Sequence, residues 1–137
     1  MTHTTTAKAV RSGLLAAAAL LVACAGPAGA TAESSGDWLH LTVTRGDSRS
    51  YDTRGTLLLC DPPRGHARAA EACAELDATG GDLRAMPLRG AFCPMVHAPV
   101  TAHARGQWHG RPVDYTERFS NSCVMAARTG AVFALDD

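Results

Sequence analysis

A mainly antiparallel sheet carrying one or two helices, an α+β domain, is the fold class this 137-residue sequence predicts. Three observations point to it. Runs of β-favouring residues recur, beginning with the alternation Trp-Leu-His-Leu-Thr-Val-Thr at 38–44. After residue 30, one stretch, Arg68 to Asp77, is alanine-rich with apolar residues at helical spacing. Breaks rich in Gly and Pro separate these segments.

Taken in order, residues 1–30 read as an export signal. Lys8 and Arg11 supply the positive start, Leu14 to Ala23 an apolar run too short to span a bilayer, and Ala28-Gly29-Ala30 a small-residue cleavage site. Cleavage after Ala30 makes Thr31 the mature start and the product a secreted, extracellular protein. Leu21-Val22-Ala23-Cys24 offers an alternative, because it resembles the lipobox that would leave a lipoprotein anchored through Cys24. Residues 31–137 then form one domain, with 31–36 as a loose terminus.

Within that domain Trp38 to Thr44 is the first strand, Arg45-Gly46-Asp47 a turn, and Gly55 to Cys60 a second strand. Asp61 to Gly65 is irregular. Arg68 to Asp77 is the helix, burying Ala69, Cys73 and Leu76 on one face and stopped by Gly80-Gly81. Asp82 to Met86 is expected to form a short helical turn, followed by a loop at Pro87, Arg89 and Gly90. Met95 to Ala104 reads as a strand, Arg105-Gly106 as a hairpin turn and Val113 to Phe119 as another strand. Val124 to Ala127 and Ala131 to Leu135 are expected to complete the sheet.

Composition narrows the function classes. Loss of Lys8 and Arg11 with the signal leaves eleven arginines against 13 acidic residues, a charge of about −2, and no lysine. Nothing in that balance favours nucleic acid, or a membrane once the signal is gone. Of the five cysteines, Cys24 lies in the signal; Cys60, Cys73, Cys93 and Cys123 remain. An even number in an exported chain implies two disulfides, with three pairings open. The absence of a Cys-x-x-Cys spacing argues against structural zinc. His40, His66, His97, His103 and His109 show no tight ligand spacing, so neither metal nor cofactor is expected. Arg45-Gly46-Asp47 matches an adhesion tripeptide, but a turn calls for those residues in any case. Without a Gly-x-Ser-x-Gly elbow or a His-Glu-x-x-His pair, and with 107 residues to build a core, the chain is not expected to be an enzyme.

The segment Cys93-Pro94-Met95-Val96-His97-Ala98-Pro99 is the most informative one. Pro94 fixes its own φ and pushes Cys93 toward extended geometry, Val96 favours an extended backbone, and Pro99 lacks an amide donor. An oxidised Cys93 would tether the backbone two residues before Met95. The segment is thus stiff, extended and built to present one unbranched apolar side chain.

Together with Cys73 and Leu76, Gly80-Gly81-Asp82-Leu83, Pro99-Val100, Trp108 with Gly110, Tyr115, Phe119-Ser120-Asn121-x-Cys123 and Val132-Phe133-Ala134, this segment resembles the Streptomyces subtilisin inhibitor family of secreted proteinase inhibitors. The likeness runs in order through essentially the whole mature region. It implies a five-stranded antiparallel sheet with two helices, a homodimer, and the pairings Cys60–Cys73 and Cys93–Cys123. By loop-closure entropy those bridges would contribute roughly 3 and roughly 3.7 kcal/mol. The resemblance also implies a scissile bond between Met95 and Val96, with Met95 filling the primary pocket of a subtilisin-like or chymotrypsin-like serine protease. Phe92 sits where the family places a second apolar anchor, and the Asn121 amide is expected to hydrogen-bond loop carbonyls. The loop then comprises Phe92, Cys93, Pro94, Met95, Val96 and His97. Two departures stand out: His97 replaces a frequent tyrosine, and Pro87 to Ala91 differs from the family's acidic loop. They keep open a secreted or lipid-anchored binding module on the same scaffold without inhibitory activity.

Overall fold

A computed structural model describes residues 36–47 and 50–135. The expected signal, the Cys24 lipid site and the start of the terminus at 31–35 lie outside the described residues. The described chain runs β1 (Trp38–Asp47), β2 (Ser50–Cys60), β3 (Pro63–Arg64), α1 (Ala69–Ala78), β4 (Val100–Trp108), β5 (Arg111–Phe119) and α2 (Ser122–Thr129). The strands form one antiparallel sheet in the order β3-β2-β1-β4-β5. The expected five strands and two helices are therefore present.

Alternation along the strands decides what is buried. Leu39, Leu41 and Val43 of β1 point to one face, joined by Leu58 of β2, Val100, Ala102 and Ala104 of β4, and Tyr115 and Phe119 of β5. Ala69, Ala72, Cys73 and Leu76 of α1 cover that face from one side, and Met125 of α2 with Val132 and Phe133 from the other. Two disulfides staple the layers. Cys60–Cys73 ties the end of β2 to α1, and Cys93–Cys123 ties the 87–99 loop to α2.

Several local expectations are corrected. Arg45-Gly46-Asp47 is not a turn: it continues β1, paired with Ser50 to Asp52 of β2. Arg105-Gly106 is not the hairpin turn; it lies within β4. A Cβ on Gly106 would sit 2.1 Å from the Trp38 carbonyl, so glycine there serves close strand approach rather than reversal. The turn is His109-Gly110, with φ +45° and +75°, the left-handed pair that a tight hairpin needs. His109 tolerates it while its amide donates to Asp37 Oδ1 at 2.6 Å.

Val124 to Ala127 is helix, not strand. Asn121 caps it, accepting from the Val124 amide at 2.9 Å, and Gly130 ends it at φ +58°. Ala131 to Leu135 is a succession of turns, its apolar residues reflecting burial rather than pairing. Finally, Met95 to Pro99 carries no ladder; β4 begins at Val100. The helical turn expected at Asp82–Met86 contracts to a 3₁₀ turn at Leu83–Ala85, capped by the Asp82 carboxylate.

Candidate functional site

Residues 87–99 leave the 3₁₀ turn, pass beside α2 and enter β4 with no regular secondary structure. A free segment of this kind would sample many conformations. Here it is pinned at intervals. The Arg89 amide donates to the Ala127 carbonyl at 2.8 Å, Cys93 is bonded to Cys123, the Ala98 amide donates to the Ser120 carbonyl at 2.9 Å, and the Pro99 carbonyl accepts from the Gly46 amide at 3.1 Å.

The most specific support comes from Asn121. Its Nδ2 donates to the carbonyl of Pro94 at 3.1 Å and to that of Val96 at 3.0 Å. These carbonyls lie on either side of the Met95 carbonyl, which accepts no hydrogen bond from the described residues. The Asn121 side chain is buried at 7 % exposure, and its Oδ1 is committed to capping α2. One amide thus satisfies both its donor hydrogens on the loop and its oxygen on the helix, so its orientation is fully determined.

The loop's side chains are its most exposed apolar groups. Met95 is 104 % exposed and Phe92 109 %, with Val96 at 56 %. Large apolar side chains left this open on a braced backbone mark an interaction surface rather than a packing fault. His97 and Pro94 are exposed as well. Among the described residues no three His, Cys, Asp or Glu side chains gather as metal ligands. The arrangement offers an extended backbone with one unengaged carbonyl, flanked by two that are held, and apolar side chains directed to solvent.

The sequence singles out Phe92 to His97 and Asn121, and the fold brings them together. It missed the anchors at Ser120 and Ala127, which are backbone carbonyls and leave no mark in side-chain identity. It also missed Arg89, whose guanidinium is bonded to Glu75 Oε1 on α1. Fourteen residues separate the two, and no local pattern links them.

Fold and loop together define a class: small disulfide-stapled α+β domains that hold a single exposed loop rigid from beneath. A family model, subtilisin inhibitor-like, matches residues 35–121, and the chain belongs to that family, one of protease inhibitors and not of enzymes. A Streptomyces avermitilis protein is 52 % identical over 134 residues, covering 98 % of this chain and 91 % of its own. The subtilisin inhibitor of Streptomyces albogriseolus is 45 % identical over 102 residues, 70 % of each chain. Among solved structures, Streptomyces caespitosus sermetstatin in complex with Bacillus licheniformis subtilisin is similar at a TM-score of 0.53 and 33 % identity. That match covers 72 % of this chain and 99 % of sermetstatin.

Proposed function

We propose that this chain is a secreted, substrate-like inhibitor of subtilisin-like serine proteases, with Met95–Val96 as the scissile bond. The observation that carries the reading is the Asn121 amide holding the Pro94 and Val96 carbonyls while the Met95 side chain stands fully exposed between them. The sermetstatin–subtilisin complex supports the choice of protease class.

In this reading the loop adds a strand to the protease cleft through main-chain hydrogen bonds, and alternate side chains set specificity. Met95 enters an apolar primary pocket and Phe92 a second one. Bracing by Cys93, Pro94 and Asn121 removes most of the ordering cost of binding, which is where tight affinity arises at interfaces of about 1,600 Å². After attack on the Met95 carbonyl, the Val96 amine stays near, because Asn121 holds the carbonyls on both sides of the break. Religation then competes with hydrolysis, and the inhibitor is a very slow substrate. A methionine at this position also suits chymotrypsin-like pockets, which form a second target class.

Secretion follows from the export signal at residues 1–30, with cleavage after Ala30. The resemblance to the family supports a homodimer, which sedimentation at micromolar concentration tests; a monomer mass would refute it. For the function itself, the oxidised protein is titrated into subtilisin and the complex examined by mass spectrometry. Loss of activity near one chain per enzyme, with slow cutting confined to Met95–Val96, is the expected result. Undiminished protease activity would leave a binding module on the same scaffold.

A further inference from the structure

Between Arg89 and Cys93 lie Gly90, Ala91 and Phe92, all exposed. No hydrogen bond among the described residues engages these three, and a Cβ on Gly90 would meet nothing within 4 Å. Whatever order Phe92 has is therefore imposed from its two ends. One end is the disulfide at Cys93. The other is Arg89, whose amide is bonded to the Ala127 carbonyl and whose guanidinium is paired with Glu75, with Glu71 Oε1 a further 3.9 Å contact.

Glu75 is itself held. Its Oε2 accepts from the Ala131 amide at 2.8 Å, and the carboxylate lies against Gly130, where an added Cβ would fall 2.2 Å from Oε2. The side chain is largely buried, at 15 % exposure. A surface ion pair between two free side chains does little. This one joins a preset carboxylate to an arginine whose backbone is already fixed, so little further entropy is lost in forming it. Four residue steps separate Arg89 from Cys93, spanning at most about 14 Å, which confines Phe92 to a short arc between two fixed points.

We infer that the Glu75–Arg89 ion pair is a latch that positions Phe92, making Arg89 and Glu75 positioning residues for the second apolar anchor of the loop. The inference rests on the inhibitor reading above. Without the latch a single amide bond closes the stem, and Phe92 both loses its placement and becomes open to cutting.

The test is a double-mutant cycle on Arg89→Met and Phe92→Ala, with Arg89→Lys as the conservative variant, read by inhibition constants against subtilisin. Arg89→Met is expected to weaken inhibition about three- to tenfold, the cost of one or two newly mobile side chains. Arg89→Lys should recover part of that loss. Phe92→Ala should weaken inhibition too, and adding Arg89→Met to it should change nothing further, since the latch then has no anchor to place. A purely structural role for Arg89 would instead give additive losses, which would overturn the inference. The second readout uses a protease outside both proposed target classes: mass spectrometry of fragments cut by thermolysin, a metalloprotease, where Arg89→Met should raise cleavage before Phe92 relative to wild type. An unchanged fragment pattern would also overturn it. Wild-type protein that fails to inhibit at all would refute the functional reading, while the thermolysin comparison would still decide the latch.

Discussion

Asn121 does two things with one planar group: its oxygen starts α2, and its nitrogen holds the loop carbonyls on both sides of Met95. A serine at this position can still accept from the Val124 amide but has no amide to give. Asn121→Ser is therefore expected to leave thermal stability near that of wild type while raising the inhibition constant roughly ten- to a hundredfold, the worth of two lost hydrogen bonds at about 1 kcal/mol or somewhat more each. Cleavage at Met95–Val96 should quicken in parallel; an unchanged cleavage rate would deny Asn121 its role. Met95 has no packing duty, being fully exposed, so its replacement tests specificity with the fold intact. Met95→Lys should turn the preference from subtilisin toward trypsin, with no change in melting temperature. Retention of the original target order would move the scissile bond elsewhere.

At the scale of elements, the loop is anchored to α2 and its flanks and not chiefly to the sheet. Ser120, Asn121, Cys123 and Ala127 together take up Arg89, Cys93, Pro94, Val96 and Ala98. Replacing both Cys93 and Cys123 by alanine removes the covalent part of that attachment. The variant is expected to fold, held by Cys60–Cys73 and the core, yet to be consumed by subtilisin as an ordinary substrate within a short incubation. Full inhibition by the double variant would show the disulfide to be dispensable for bracing. Gly106 governs how closely β4 can lie against β1, and Gly106→Ala should cost more than about 2 kcal/mol in denaturant unfolding, because the added carbon meets backbone that cannot yield. The same elements mark how far the sequence can be read. The alternation in β1 and the spacing of α1 are legible because burial imposes a period; the loop is legible because Cys93 and Pro94 mark a stiff segment and the resemblance to the family runs through it. α2 was read as a strand because its apolar residues are few and its neighbours apolar too, although Asn121 and Gly130 bracket it as helix ends do. The turn at His109-Gly110 is masked in the sequence by Arg105-Gly106, a second glycine-bearing pair just before it that offers a competing turn signal.

For the molecule as a whole, Tyr115 couples stability to alkaline pH. The Tyr115 hydroxyl is held well above its usual range, first by burial, then by donating to Glu117 Oε2 at 2.9 Å and by the charge of that carboxylate. Its folded-state pKa exceeds the unfolded value of 10.0. The stability this contributes is complete below pH 10 and declines as the pH rises above it, since the unfolded chain then releases a proton the folded one keeps. Unfolding free energy measured between pH 8 and 12 should be level at first and fall beyond about pH 10, and Tyr115→Phe should flatten that fall. A decline of equal steepness in the phenylalanine variant would place the cause in another group.

The order of the chain gives the anchoring of the loop a consequence in time. The loop occupies residues 87–99, whereas most of what holds it lies at 120–129. A chain emerging amino end first therefore exposes the bait before the clamp exists. During that interval Phe92 and Met95 belong to an unbraced strand that any nearby protease could sever. On the proposed reading, competence arrives only with the last segment, so a nascent or truncated form ending before Asn121 would be prey, and the finished protein the trap.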